Sequence, residues 1–320
     1  MISITAFTNL NNAVPWGLWV SIYIWLVGIS AGVFALVAYG NLRSNPHLKN
    51  TTRLGLALAL AALLAGLLSI QIDLGHIERF YKLFISPNPA SVMDIMVWLY
   101  GVYCAILAIA FLKLKKGISK SFYIFSLIFT LGIIVLESLL FAVPPGKHWH
   151  SLIFPLHFLT ASLASAISAL LFISGILWVK TDPEALLRGL SKIALPLVAI
   201  NLIVEIIDIF SFAGFNHIMS WGLILGSIIS ILLLRRATSL AITAAGFIQL
   251  IVIFFSKYNS LISAQLEEPF KGFAKTYIEP RLVFSYAPNS FEIFIALLLV
   301  SLAAGIFYFL YKIMPLTREE

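Results

Sequence analysis

Long apolar runs dominate the chain, and short polar segments separate them. The hydrocarbon core of a bilayer is about 30 Å thick, so a helix needs about 20 apolar residues to cross it. Runs of this length favour membrane-spanning helices over strands, because a helix satisfies its own backbone groups in lipid. Nine runs fit, and they cover residues 15–41, 54–74, 92–113, 121–143, 152–179, 191–214, 218–235, 237–256 and 291–313.

The order of these runs predicts an all-α polytopic integral membrane protein. We expect the first four helices and their loops, residues 1–150, to form one four-helix bundle. Residues 151–257 are expected to form a second bundle of four helices. A long loop over residues 258–290 then leads to a C-terminal transmembrane helix and a short tail, residues 291–320.

The composition excludes a water-soluble protein. Of the 320 residues, 61% are hydrophobic and 11% are charged, whereas about 25% of the residues of a soluble domain are charged. The net charge of +7 does not indicate nucleic-acid binding, because the basic residues of membrane proteins collect in cytoplasmic loops. The single cysteine, Cys104, excludes an internal disulfide and a cysteine-ligated iron–sulfur cluster within this chain.

The basic residues also predict the orientation. With the N-terminus outside, 14 of the 21 Lys and Arg residues fall in the inner loops and the C-terminal tail, as the positive-inside rule requires. We therefore expect a multi-pass protein of the plasma membrane with its functional loops on the outer face. Five of the six histidines then lie at or near that face: His76, His148, His150, His157 and His217.

The polar segment after the second run carries a family resemblance. DLGHIERFYKLFISPNPASVM, within Asp73–Asp94, resembles the DLG-x-x-x-RF…L…PNP-x-S-x-M signature of the NrfD/PsrC-type family of membrane subunits. Three more stretches are similar to motifs of that family in the same order. They are WLVGISAGVFAL, HWHSLIFPLHFLTASLASA and YAPNSFE, at residues 25–36, 148–166 and 286–292.

This resemblance implies a quinone-binding membrane subunit of a respiratory complex similar to polysulfide reductase. Such a subunit binds menaquinone or a related quinone near the outer face. It exchanges electrons with a docked iron–sulfur, ferredoxin-like subunit, which in turn serves a catalytic subunit, often a molybdopterin enzyme. We accordingly expect no haem and no iron–sulfur cluster in this chain, and no catalytic centre apart from the quinone site.

Ionisable residues inside the predicted helices are the first candidates for quinone chemistry, because each costs about 2.5–3.5 kcal/mol at the bilayer centre. Asn201, Glu205 and Asp208 are spaced i, i+4 and i+7, so they share one face of helix six. One interpretation is a proton path or a quinone contact. The other is a polar face that holds neighbouring helices together.

Four residues on other helices are further candidates for the quinone site. Glu137 lies near the outer end of helix four, and His157 lies in helix five. Tyr23 falls where the resemblance implies a polar quinone contact, and Trp19 with Trp16 is expected to form walls of the slot. Each also has a structural interpretation, since a helix neighbour can pair with Glu137 or His157, and tryptophans mark membrane interfaces generally.

The loop after helix two is the predicted docking surface for the iron–sulfur partner. Its aromatic residues and prolines suit a surface that lies along the interface and contacts another protein, and Arg79 can pair with Asp73 or with Glu78. Simple folding of the loop is the alternative. No metal site is expected, because the outer histidines lack the spacing of a known site. The candidate docking residues are Asp73, His76, Arg79, Phe84 and Trp149.

Three functions remain open at this point. The first is a quinone-reactive anchor subunit of a polysulfide- or sulfur-reductase-like complex. The second is a proton-coupled secondary transporter, although the sequence shows neither the internal repeat nor the paired broken helices that transporters commonly have. The third is a proton-translocating subunit of a larger complex, for which the inner halves of the helices offer few ionisable groups.

Overall fold

The computed structural model describes residues 14–73, 77–86, 88–141, 148–177, 183–212, 217–236, 238–268, 272–273 and 284–314. Within these ranges the chain forms nine long helices and no strand. Each is long and apolar enough to cross a membrane, so the predicted all-α, multi-pass fold is confirmed. The helices are α1 (Leu18–Leu42), α2 (Thr52–Asp73), α3 (Val92–Lys113), α4 (Lys120–Phe141), α5 (Ile153–Leu177), α6 (Pro183–Ser211), α7 (His217–Arg235), α8 (Ser239–Leu266) and α9 (Ser290–Ile313).

Two helices are longer than their apolar runs. Helix α6 begins at Pro183 rather than at residue 191, and its first turns carry an exposed Glu184–Arg188 pair with an N–O distance of 2.9 Å. Helix α8 ends at Leu266 rather than at residue 256. A hydropathy pattern predicts the end of a helix where charged residues appear. The helix itself continues as long as its polar side chains contact water or polar neighbours.

Helix α1 lies at the centre of the molecule. It packs against α2, α4, α5, α8 and α9, and nearly all of its side chains are buried. A helix that is apolar on all faces is stable in such a position. Helix α9, in contrast, packs on α2 and α1 and leaves most of its surface exposed. The division into two bundles at residues 150 and 257 stays a prediction.

Two glycines let α1 and α5 approach closely. A methyl group on Gly28 would meet the Ser162 hydroxyl, and one on Gly32 would meet the Ser162 carbonyl oxygen and the Ala166 side chain. Glycine at this spacing is typical of close helix contacts in membranes. The G-x-x-x-G pattern in α1 is therefore a packing motif.

The helix ends are tied together on the side where α1 begins, which we call the proximal side. The Tyr286 hydroxyl accepts a hydrogen bond from the Leu18 amide at 2.9 Å and donates one to Glu292 at 2.6 Å. Burial and the Glu292 carboxylate raise the pKa of Tyr286 above its ordinary value. The Gln265 side chain forms two hydrogen bonds with the Trp16 backbone, at 3.0 and 2.8 Å. Helices α1, α8 and α9 are thus held in register.

Substitution of Gly32 by alanine tests the close packing of α1 on α5. The added methyl group has no space between the two backbones, so we expect the free energy of unfolding to fall by about 1–3 kcal/mol. The measurement is the thermal unfolding midpoint of the purified chain in detergent. Gly222→Ala in α7 is the matched control, because nothing lies within 4 Å of its added methyl group. Equal midpoints for the two variants would contradict the packing assignment.

Candidate functional site

A cavity of about 250 Å³ opens between α1, α2, α3 and α4 near the proximal side. Its walls are mainly apolar side chains, as expected for a site that takes a hydrophobic ligand. Trp16 lies just before α1 and forms part of the wall, where its ring meets Phe141 edge-on at 5.5 Å. The wall residues used below are Trp16, Tyr23, Tyr100, Gly101 and Phe141.

Residues 77–86, a described part of the segment between α2 and α3, lie at the cavity. They form a 3₁₀ turn, Ile77–Arg79, and a short helix, Lys82–Ile85. Phe80 and Phe84 line the cavity while remaining about two-fifths exposed, at 41% and 40%. The Phe84 ring also meets Trp98 of α3 at 5.7 Å. The segment therefore places an aromatic cover between the cavity and the surroundings.

The inner end of the cavity is polar. The hydroxyls of Tyr23 and Tyr100 are 2.6 Å apart and both side chains are buried. Glu137 of α4 lies beside both tyrosines and is fully buried. Neither of its carboxylate oxygens has a hydrogen bond of good geometry among the described residues. Hydroxyl donors and a carboxyl group that can exchange a proton are thus placed together at the end of an apolar space.

A second buried cluster joins α5, α6 and α8. The two ring nitrogens of His157 face two carboxylates, with Nε2 at 2.8 Å from Glu205 and Nδ1 at 3.3 Å from Asp208. The Ser256 hydroxyl donates to Glu205 at 2.5 Å and lies 3.0 Å from His157 Nε2. Both nitrogens of a protonated imidazole are donors, so a proton on His157 would be held between the two carboxylates. Within the described ranges, no three metal-ligating side chains converge on one point.

His148 extends this cluster towards the proximal surface. Its Nε2 lies 3.5 Å from Asp208, and its ring packs between Phe154 and Phe212, with centroids at 5.3 and 4.7 Å. Burial lowers the pKa of His148 below its ordinary value of 6.5, although the Asp208 carboxylate raises it. His148 is therefore neutral at neutral pH.

Lys257 comes directly after the apolar run predicted for helix eight, which ends at residue 256. In the structure it lies inside α8 with 1% of its surface exposed. Its Nζ is 3.1 Å from the centre of the Phe158 ring. Leu261 and Ile262, four and five positions further on, are also buried. This continued apolar spacing was the signal that the helix extends past Lys257.

The predicted quinone residues separate into two places. Tyr23 lines the cavity and Glu137 is buried beside it, whereas His157, Glu205 and Asp208 form the second cluster. Two other candidates belong to neither set. Trp19 donates to the Glu292 carbonyl at 3.3 Å and faces α9. Asn201 is buried one turn before Glu205, outside the cavity wall.

The predicted docking residues also differ in position. Asp73 and Phe84 line the cavity, and Arg79 is exposed with its guanidinium 3.7 Å from Glu78, so of the two predicted partners it pairs with Glu78. Trp149 is only 3% exposed and donates to the Ser260 carbonyl at 3.2 Å, so its contacts are internal packing. His76 lies outside the described residues.

Tyr100 was not singled out from the sequence. It lies in an apolar run of α3, where nothing local distinguishes it from a packing tyrosine. Its role becomes visible only through the hydroxyl contact with Tyr23, which is 77 positions away in the chain.

The family described as "Polysulphide reductase, NrfD" matches residues 6–267. The chain belongs to the NrfD family. The resemblance seen in the four sequence motifs is thereby confirmed, and the matched range contains both the cavity and the second cluster.

Three curated relatives of this NrfD-family chain are subunits of reductases or oxidoreductases by name. It is 24% identical to a selenate reductase subunit of Mesobacillus selenatarsenatis, with 100% of this chain and 89% of that protein covered. It is 26% identical to the Hdr-like menaquinol oxidoreductase integral membrane subunit of Archaeoglobus fulgidus, with coverage of 58% and 49%. It is 30% identical to a putative dimethyl sulfoxide reductase membrane subunit of Halobacterium salinarum, with coverage of 30% and 21%.

Substitution of His148 by phenylalanine tests its buried neutral state. The folded protein binds a proton at His148 less readily than the unfolded chain does, so stability is lost as the pH falls below about 6.5. This slope is at most about 1.4 kcal/mol per pH unit for one group. Phenylalanine keeps the ring packing without a titrating group. We therefore expect His148→Phe to reduce the loss of thermal stability on acidification.

The measurement is the thermal unfolding midpoint of the detergent-solubilised chain at about pH 7.5 and about pH 5.5. His150→Phe is the control, because the neighbouring His150 side chain is exposed. A wild-type loss that His148→Phe leaves unchanged would contradict the assignment.

Proposed function

We propose that this NrfD-family protein is the quinone-reactive membrane subunit of a respiratory oxidoreductase complex. It passes electrons between a menaquinone-type quinone, its substrate, and an iron–sulfur subunit docked on the proximal side. The observation that supports this function most directly is the Tyr23–Tyr100 hydroxyl pair with Glu137 at the polar end of an apolar cavity.

The cavity offers what quinone chemistry requires. A quinone has carbonyl oxygens that need hydrogen-bond donors and, on reduction by two electrons, two protons. Its isoprenoid tail needs an apolar surface. The Tyr23 and Tyr100 hydroxyls can donate to a carbonyl oxygen at the inner end, and Glu137 can supply or accept a proton there. The apolar walls and the Phe80–Phe84 cover can hold the rest of the molecule away from water.

The names of the relatives support the proposal that this chain is one subunit of a larger complex. Two are subunits of reductases and one is a membrane subunit of a menaquinol oxidoreductase. By analogy, this chain works with a ferredoxin-like iron–sulfur subunit and a catalytic, molybdopterin-type subunit that reduces a sulfur compound or a similar substrate. The exposed surface around Arg79 is the proposed docking site. The proposed location is the plasma membrane, with the proximal side outside.

The cavity assignment can be tested by filling the cavity. Gly101 lines it, and nothing lies within 4 Å of an added Cβ atom. Gly101→Phe should therefore occupy the quinone space without a clash in the wall. We expect binding of menadione, a tail-less naphthoquinone, to weaken about tenfold or more. The measurement is quenching of tryptophan fluorescence in the purified chain, because Trp16 lines the same cavity.

Gly132→Phe in α4 is the matched control, since it also has open space around it but lies outside the cavity wall. Equal quenching in the two variants would mean that menadione binds outside this cavity. Absence of any menadione or menaquinone binding to the wild-type chain would favour the transporter instead.

Neutral amide substitutions test the roles of the buried acids. Glu137→Gln and Asp208→Asn keep size and hydrogen bonding but cannot exchange a proton. We expect each to lower quinol-linked turnover of the isolated complex, with a loss of about 10²-fold for Glu137→Gln as a general acid–base group. Assembly with the partner subunits should be retained, as judged by co-purification. Unchanged turnover in both variants would assign these acids to structure alone.

A further inference from the structure

Lys257 is a buried amine for which the quinone cavity alone gives no role. It sits within the span of α8 and is fully enclosed. Its Nζ lies over the Phe158 ring, but among the described residues it forms no ion pair and no hydrogen bond. An ammonium group in a lipid-embedded interior is normally paired or functional. The position of Lys257 therefore requires an explanation beyond packing.

Lys257 stands between the two polar sites. Its neighbour Ser256 contacts His157 and Glu205, which places this turn of α8 against the second cluster. On the other side, the Phe158 ring beneath Nζ packs on Phe141 at 5.9 Å, and Phe141 is a wall residue of the cavity. The Phe158 ring is thus shared by the surroundings of both sites.

The electrostatic neighbours of Lys257 come from both sites as well. Its charge interacts with Glu137, at the polar end of the cavity, and with Glu205 and Asp208 of the cluster. None of the three carboxylates is close enough to form an ion pair with it in the described structure. The lysine side chain is a flexible four-carbon stem, so rotation about its bonds can turn Nζ towards either side.

We infer that Lys257 carries protons between Glu137 at the cavity and the His157–Glu205–Asp208 cluster. The inference rests on the proposed quinone function, because it gives a path to the protons that quinone chemistry takes up or releases. The second cluster is then a site of proton exchange rather than a second quinone-binding site.

The transfer is balanced for the oxidation of a quinol. The quinol gives two electrons to the docked iron–sulfur subunit and two protons to the protein, one at a time. For each proton, a quinol O–H bond breaks and an O–H bond forms at the Glu137 carboxylate. This O–H bond then breaks, and an N–H bond forms at the neutral Lys257 amine. An N–H bond of the resulting ammonium breaks as the proton passes to the cluster, where His157 becomes the imidazolium between its two carboxylates. The imidazolium releases the proton to water on the proximal side before the second proton arrives. Reduction of a quinone runs the same steps in reverse.

A fixed counter-ion is the alternative role for Lys257. A counter-ion needs only a permanent positive charge, whereas a carrier has to lose and regain its proton. Arginine separates the two roles, because its guanidinium stays protonated in proteins. Methionine removes both the charge and the proton but keeps the length of an unbranched side chain.

The experiment uses Lys257→Met and Lys257→Arg in the complex isolated from its native membrane. Three quantities are measured: menadione binding, quinol-linked turnover with menadiol, and the ratio of turnover in H₂O and D₂O. Lys312→Met is the matched control, since Lys312 also lies over an aromatic ring, Tyr308, at 4.6 Å, but at the far end of α9.

We expect Lys257→Met to keep menadione binding and to lower turnover roughly 10²-fold, with a larger H₂O/D₂O ratio than the wild type. Lys257→Arg should not restore turnover, and Lys312→Met should match the wild type. Wild-type turnover or an unchanged isotope ratio in Lys257→Met, or restored turnover in Lys257→Arg, would overturn the carrier role. If the wild-type complex fails to bind menadione, the proposed quinone function itself fails, so the two failures are distinct.

Discussion

Enclosure of ionisable side chains inside a lipid-embedded helix bundle is the constraint on which the rest of this structure depends. Glu137, His157, Asp208 and Lys257 are all withdrawn from water within spans that are otherwise apolar. Such groups are costly to bury, so their positions are informative. All four lie in the halves of their helices that are nearer the proximal side, where the helix ends are also cross-linked by hydrogen bonds.

The two polar sites differ in what they can do. The cavity among α1 to α4 has space for a ligand but only a few polar groups. The cluster among α5, α6 and α8 has more polar contacts and joins three helices through them. We propose that the first site binds the quinone and that the second exchanges protons. Close packing of α1 on α5 through Gly32 keeps the sites next to each other.

Much of this arrangement could be predicted from sequence. The contacts between residues on different helices could not, because they depend on tertiary packing. Hydropathy finds the nine helices because lipid imposes length and apolarity on every span. Helical spacing puts Glu205 and Asp208 on one face, but it cannot say that His157 of another helix lies between them. The predicted run of helix eight ended at residue 256 because the charge of Lys257 is typical of a helix end. The partnership of Tyr23 with Tyr100 depends on tertiary packing alone.

Photolabelling with a light-activated azido-naphthoquinone tests the central claim most directly. The native complex is labelled in its membrane, digested, and the modified peptides are identified by mass spectrometry. A quinone in the cavity should attach to the α1 and α3 segments around Tyr23 and Tyr100, and excess menaquinone should remove the label. Label confined to α5–α8, or label that menaquinone does not displace, would contradict the account.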